Sequence, residues 1–123
     1  MGEYFYTQDH LWILKQHNKP MLLGVTEYLT IQGKPEYLQL PQPGEIFKPN
    51  QSIGCLETDK CTINISLPFS VKIVNINVVL CNEPKRLLDS SEKEKWLCEI
   101  ELLDNDDLKS LMTDQQYRDY CAP

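Results

Sequence analysis

The sequence lacks the basic clusters and long apolar runs that mark nucleic-acid-binding and membrane proteins. Its 123 residues include 12 Lys or Arg against 18 Asp or Glu, for a formal net charge of −6. Nucleic-acid binding depends on clustered cations that displace counterions, and here Lys85 and Arg86 form only an isolated pair. No apolar stretch approaches the roughly 20 residues that a membrane-spanning helix needs. We therefore expect neither nucleic acid nor a membrane as a partner.

Paired cysteines and metal-ligand spacings are also missing. The five cysteines are an odd number and include no CxxC pair, so we expect free thiols in a reducing compartment. The only histidines, His10 and His17, have no cysteine spacing that would complete a zinc site, and we expect no metal. The first residues resemble neither a signal peptide nor an Arg-rich transit sequence, so the chain is either made in the cytosol or shown without a leader.

Motifs of stand-alone catalysis are absent as well. The chain has no nucleophile elbow and no phosphate-binding glycine loop. His10 follows Asp9, but neighbours on an extended strand point to opposite faces. A partly buried structural role for His10 beside Trp12 is therefore favoured over catalysis, and we expect a protein that is not an enzyme.

The residues that are present predict a single domain, 1–123, built mainly of short β-strands. Proline and glycine divide the chain into short pieces, and several pieces alternate apolar with polar residues, as half-buried strands do. Many short strands at close spacing predict an antiparallel sandwich or flattened barrel with Trp12 and Trp96 substantially buried. The predicted strands are Leu11–Leu14, Met21–Val25, Tyr37–Leu40, Ser52–Leu56, Thr62–Leu67, Val71–Ile76 and Trp96–Leu102.

Two helical segments complete the predicted fold. Thr26 can cap a short helix that runs through Gln32, with Gly33 in the left-handed position just past its end. Near the C-terminus, Leu108, Leu111 and Met112 share one helical face, and Thr113 and Gln116 have the spacing of a capping box that opens a last turn with Tyr117 and Tyr120. The polar segment 89–95 is predicted to be a solvated loop.

One segment between two predicted strands has an unusual lysine. Thr58 to Cys61 is the right length for a four-residue turn with Asp59 and Lys60 at its centre. This turn would put Lys60 at the outermost point of a hairpin. On spacing alone a solvated turn charge is the favoured interpretation, because lysine is common on exposed turns.

Short motifs along nearly the whole chain, about residues 4–120, favour a functional role for Lys60 over a solvated turn charge. The sequence Glu57-Thr58-Asp59-Lys60 between strands resembles the modification hairpin of lipoyl domains. The remaining motifs resemble the glycine cleavage H proteins, whose opening is Tyr-[Ser/Thr]-x-x-His-x-Trp. They are Tyr6-Thr7-Gln8-Asp9-His10-Leu11-Trp12, Gly24-Val25-Thr26-Glu27-Tyr28, Leu40-Pro41-Gln42-Pro43-Gly44, Leu67-Pro68-Phe69-Ser70, Trp96-Leu97 and the closing segment Leu108 to Tyr120.

The resemblance implies a lipoyl-domain-like fold, a barrel-sandwich hybrid, and a monomeric carrier. Its cofactor would be lipoic acid attached as N6-lipoyllysine at Lys60, with Glu57, Thr58, Asp59 and Cys61 flanking the attachment site. The implied partners are glycine decarboxylase, the aminomethyltransferase, the dihydrolipoyl dehydrogenase and a lipoate ligase or lipoyltransferase. The implied location is the cytoplasm for a bacterial protein, and the matrix of the mitochondrion or a related organelle for a mature eukaryotic one.

Some positions depart from the family pattern. The family's His-Glu-Trp is here His10-Leu11-Trp12, and the resemblance implies that the missing glutamate helps to hold the loaded arm in a cleft. Tyr28 stands where the family often has histidine, Val71 and Lys95 replace glycines, and the segment after Thr26 is one residue shorter. Two alternatives therefore stay open. One is a diverged H-like lipoyl carrier used in lipoate relay or by another enzyme system, and the other is an unmodified interaction module with the same fold.

Overall fold

A computed structural model describes residues 2–89 and 92–123 and forms two antiparallel β-sheets with short helices. The strands are Gly2–Tyr6 (β1), Leu11–Gln16 (β2), Met21–Val25 (β3), Pro35–Gln39 (β4), Ile46–Phe47 (β5), Ser52–Thr58 (β6), Thr62–Ser66 (β7), Val71–Ile76 (β8) and Trp96–Leu102 (β9). The α-helices are Glu27–Thr30 (α1), Val78–Asn82 (α2), Arg86–Asp89 (α3) and Asp114–Cys121 (α4), and 3₁₀ turns span Glu92–Lys95 and Asn105–Ser110. None of the described helices is long and apolar enough to cross a membrane.

The larger sheet has the strand order β1-β2-β3-β9-β8-β5, and the smaller one has the order β4-β6-β7. Their inner faces share one hydrophobic core, to which Ile13 and Ile73 contribute from the larger sheet and Leu38, Leu56 and Ile65 from the smaller. Alternating strands that bury one face in this way stabilise the fold through apolar burial. The predicted antiparallel sandwich is confirmed.

Strand β2 is buried on both of its faces. Leu11 and Ile13 point into the main core, whereas Trp12 and Leu14 join a second cluster, with Tyr117, on the outer face of the larger sheet. The Trp12 indole donates to the Val25 carbonyl oxygen at 3.0 Å and lies over Gly24, where an added Cβ would come within 2.1 Å of Cζ2. The burial predicted for Trp12 is confirmed, while Trp96 is half-buried against this second cluster.

The prediction for the segment after Thr26 is wrong in its details. Helix α1 covers only Glu27–Thr30, and Thr26 precedes it without a side-chain capping bond because its hydroxyl group contacts the Tyr117 hydroxyl group at 2.8 Å instead. Gly33 does not take the left-handed conformation; the glycine with positive φ is Gly44, at +94°. Gly33 is instead pressed against the hairpin that follows β6.

The C-terminal segment is interrupted at Met112, which was predicted to share one helical face with Leu108 and Leu111. The 3₁₀ turn Asn105–Ser110 ends before Met112, whose backbone pairs with that of Tyr6 through two hydrogen bonds of 2.9 Å. This pairing requires extended backbone and interrupts the helical period. The predicted capping box is confirmed, because Gln116 N donates to Thr113 Oγ1 at 3.3 Å and Thr113 N donates to Gln116 Oε1 at 2.9 Å.

The polar segment 89–95 differs from the predicted loop at its two ends. Its first residue closes α3, and its last four form a 3₁₀ turn, while residues 90 and 91 lie outside the described part of the chain. The short strands β1 and β5 and the helices α2 and α3 were not predicted. The five cysteines are free thiols, with Cys98 buried and Cys61 exposed.

Candidate functional site

The hairpin between β6 and β7 presents Lys60 to solvent. The two strands pair from Ser52 with Ser66 up to Glu57 with Thr62, and the connecting turn has Asp59 and Lys60 at its centre. The turn is closed by a 2.8 Å bond from Thr58 N to the Cys61 carbonyl oxygen. Lys60 is exposed, so its ammonium group lies outside the packed part of the molecule.

Thr58 organises this turn from its buried end. Its hydroxyl oxygen accepts from Lys60 N at 3.2 Å and from Cys61 N at 3.0 Å, and its proton is donated to the Cys61 carbonyl oxygen at 3.1 Å. Only 8% of Thr58 is exposed. Since Ser and Thr hydroxyl groups that bond nearby backbone groups stabilise tight turns, Thr58 fixes the backbone from which the Lys60 side chain departs.

The other predicted flanking residues, Glu57 and Cys61, lie on either side of the tip. Glu57 is exposed on the outer face of the smaller sheet, opposite Tyr37 on one side and Thr62 on the other. Cys61 is exposed, with its sulfur 3.6 Å from Thr58 Oγ1. These residues form a polar rim around Lys60 and leave its amine accessible.

Asp59 joins the tip to the segment between α1 and β4. Its Oδ1 accepts from Lys34 N at 2.8 Å, and its own N donates to the Lys34 carbonyl oxygen at 3.1 Å. A Cβ added at Gly33 would lie 2.6 Å from Thr58 Oγ1 and 2.8 Å from Asp59 Oδ1, so the contact needs glycine. No local pattern predicts this contact, because no motif or spacing relates residues 33 and 34 to residue 59.

A cavity of about 690 Å³ lies beside α1. It is open to solvent, with the segment around α1 on one wall and α4 on another. The lining residues are Tyr6, Val25, Thr26, Glu27, Tyr28, Ile31, Lys95, Asp114, Tyr117, Arg118, Cys121 and Ala122. Ile31 lines the cavity and Gly33 contacts the hairpin tip. One short backbone segment therefore borders both the cavity and the turn that carries Lys60.

Of the residues that depart from the family pattern, Tyr28 lines this cavity and Leu11 does not. Leu11 does not line it; its side chain is 1% exposed and points into the main core. Tyr28 does line it, 43% exposed and stacked on His10 with ring centroids 3.9 Å apart. Glu27 and Asp114 were not predicted as site residues, yet both carboxylates lie on the cavity walls. Asp114 is paired with Arg118, which also lines the cavity, at 3.0 Å.

His10 contacts two residues that line the cavity, Tyr28 and Tyr117. It lies in a turn before β2 with φ +68°, and its Nδ1 is 2.8 Å from the Tyr117 hydroxyl group, which also contacts Thr26 Oγ1 at 2.8 Å. Cys121 Sγ lies 3.9 Å from the same nitrogen. Burial raises the pKa of the Tyr117 phenol, which therefore stays protonated and able to donate. The network ties α4 to α1 and gives His10 a structural role.

The fold should lose stability at acid pH through His10. Burial lowers the pKa of His10 below its ordinary value of 6.5, and Asp9 offsets this only in part. The unfolded chain therefore binds the proton more readily than the folded protein does. The contribution of neutral His10 to the free energy of unfolding is fully present above pH 6.5 and is lost as the pH falls towards the folded-state pKa. Urea unfolding at pH 7.5 and 5.5 should show a smaller acid loss for His10→Asn, which tolerates positive φ. An equal loss in both proteins would contradict this assignment.

Comparisons with known proteins agree with this geometry. The family model described as "Glycine cleavage H-protein" matches residues 4–123. A glycine cleavage system H protein of Thermotoga maritima is 31% identical over 118 residues, covering 95% of this chain and 94% of the relative, and one of Bartonella quintana is 29% identical over 119 residues, covering 96% and 97%. The crystal structure of a glycine cleavage system H protein from Mycobacterium marinum superposes with a TM-score of 0.84 at 25% identity, covering 97% of this chain and 96% of that one. The chain belongs to the glycine cleavage H-protein family.

Proposed function

We propose that this protein is a single-domain lipoyl carrier of glycine cleavage, with lipoic acid attached through an amide to Lys60. The observation that supports this most directly is the exposed amine at the centre of an ordered hairpin turn, in a chain with the family's fold. An acylating enzyme needs an accessible acceptor amine on a backbone of fixed shape. The Thr58 hydroxyl group provides that backbone and the strands β6 and β7 support it.

The residues of the hairpin suit a long arm. A lysine side chain joined to lipoic acid spans about a dozen bonds, roughly 14 Å. Bound there, the lipoyl group would supply a dithiolane able to accept an aminomethyl group and to exchange electrons with thiols. The protein itself needs no acid or base for this role. Its contribution is to keep one lysine exposed to solvent and to provide a cavity in which the arm can bind.

The cavity beside α1 is the proposed resting place of the loaded arm. It is open to solvent and shares the backbone segment 31–34 with the tip contact at Asp59. Its walls combine the tyrosine rings of Tyr28 and Tyr117 with the carboxylate of Glu27. An aminomethyl amine is cationic at neutral pH, so the Glu27 carboxylate would attract it, against the opposing charge of Lys95 on the same walls. Leu11 cannot contribute here, because it lies in the core.

The proposed partners follow from this role. Glycine decarboxylase would load the arm, the aminomethyltransferase would unload it, and the dihydrolipoyl dehydrogenase would restore the disulfide. A lipoate ligase or lipoyltransferase would attach the arm. The protein would act as a non-catalytic monomer, in the cytoplasm of a bacterium or in the matrix of a eukaryotic organelle.

The test is made in two steps on protein from its native host. The intact mass should exceed the sequence mass by one lipoyl group, and the lipoylated protein should support glycine–bicarbonate exchange with a glycine decarboxylase. An unmodified mass would refute the carrier proposal and favour an interaction module. Full lipoylation without exchange would favour a carrier for another enzyme system. The buried Leu11, in place of the family's glutamate, also supports that hypothesis.

A further inference from the structure

The lysine hairpin is fastened to the rest of the molecule at its tip as well as at its base. Asp59 and Lys34 exchange two hydrogen bonds, from Lys34 N to Asp59 Oδ1 at 2.8 Å and from Asp59 N to the Lys34 carbonyl oxygen at 3.1 Å. We call this pair, together with Gly33 packed beneath it, the tip clamp. A hairpin of two strands is ordinarily free at its turn, where mobility is greatest.

The clamp acts on the residue next to Lys60. Asp59 is bound to the segment before β4 on one side, and on the other side the Lys60 backbone N–H is bound to Thr58 Oγ1. The bond from Lys34 N to Asp59 Oδ1 requires an acceptor oxygen on the side chain at position 59. Because the carboxylate is exposed, this bond contributes little to global stability, yet it restricts the turn from which the lysine projects.

We propose that Asp59 is a positioning residue for Lys60, holding the turn that carries the acceptor lysine in one backbone conformation. The proposal rests on Lys60 being the lysine that is acylated. A preorganised turn spares the acylating enzyme the entropy of ordering it on binding, so the clamp acts on the KM for the carrier more than on kcat. Gly33 is required for the tip clamp, because a side chain at position 33 would clash with Thr58 Oγ1 and Asp59 Oδ1.

The kinetic test compares Asp59→Ala with Asp59→Asn as acceptors for a lipoate ligase. Asp59→Ala should raise the KM for the carrier about fivefold, with kcat within about twofold, as expected for the loss of one ordering hydrogen bond. Asp59→Asn should restore KM to within about twofold of wild type, because its amide oxygen still accepts from Lys34 N. Glu36→Gln removes a carboxylate from the neighbouring, exposed β4 position and is the matched control. A KM that rises equally in Asp59→Asn would show that charge is recognised and would overturn the clamp.

A second measurement does not depend on acylation. Hydrogen exchange of the Lys34 amide should accelerate about tenfold in Asp59→Ala and in Gly33→Ala, while core amides of β2 exchange as in wild type. Unchanged exchange at Lys34 would overturn the proposal even if KM rose. Wild-type protein that no ligase acylates would refute the carrier role instead, and the exchange result would still decide whether the clamp orders the tip.

Discussion

Replacement of Lys60 by arginine is expected to abolish lipoylation while leaving the fold intact. The guanidinium group keeps the positive charge but presents no amine that can form a stable amide with a carboxylic acid. Lys60 is exposed at the turn, so nothing in the core is disturbed. Incubation with ligase, ATP and lipoic acid should add one lipoyl mass to the wild type and none to Lys60→Arg, and glycine–bicarbonate exchange should fall to background.

The matched control is Lys34→Arg. Lys34 is the lysine whose backbone touches the hairpin tip, and its side chain is exposed. This variant should gain the full lipoyl mass, because the clamp uses only its backbone atoms. A lipoyl mass on Lys60→Arg would mean that another lysine is the acceptor, and the assignment of Lys60 would then be wrong.

The second large effect is expected for Leu11→Glu, the change that would restore the glutamate of the family motif. Leu11 is 1% exposed within the main core, so the new carboxylate would be buried without a partner. Breaking a core contact and burying an unpaired charge should cost about 3–5 kcal/mol, a large part of the 5–15 kcal/mol that stabilises a typical domain. Urea unfolding monitored by tryptophan fluorescence should show a greatly lowered midpoint, since Trp12 adjoins the site.

Leu11→Met is the matched control, because it conserves volume and should cost less than about 1.5 kcal/mol. A Leu11→Glu protein with a wild-type midpoint would show that position 11 can turn to solvent, contrary to its place in the core. If the midpoint falls as expected, a carboxylate that faces the cavity has to be supplied by a residue on its walls, such as Glu27.

The parts of this fold that the sequence predicted are those governed by local patterns. Alternation along Thr62–Leu67 identified β7, where Ile65 is buried between exposed or half-buried neighbours. Alternation along Trp96–Leu102 identified β9, where Cys98 and Ile100 are buried as expected and Leu97 is buried as well. The turn at Lys60 was predicted from its length, and the capping box at Thr113 from residue spacing. These signals lie within a few neighbouring residues, and distant packing does not override them.

The features that escaped prediction depend on contacts between distant segments. Gly33 was expected in a left-handed helix cap, but the hairpin tip 25 residues further on sets its role. The break at Met112 exists because Tyr6 pairs with Met112 across the molecule. The cavity likewise joins α1 to α4, so its carboxylates Glu27 and Asp114 could not be grouped by spacing.

The position of β9 in the larger sheet has a consequence for the order in which the chain folds. Strand β9 lies between β3 and β8 and aligns Ile100 with Met21, so the sheet cannot close until almost the whole chain has been synthesised. Pairings of such long sequence separation form slowly, because loop closure comes before any gain in contacts. The backbone pairing of the β6–β7 hairpin involves no residue beyond 66. During synthesis, the turn that displays Lys60 can therefore form on the ribosome before the sheet that supports it is complete.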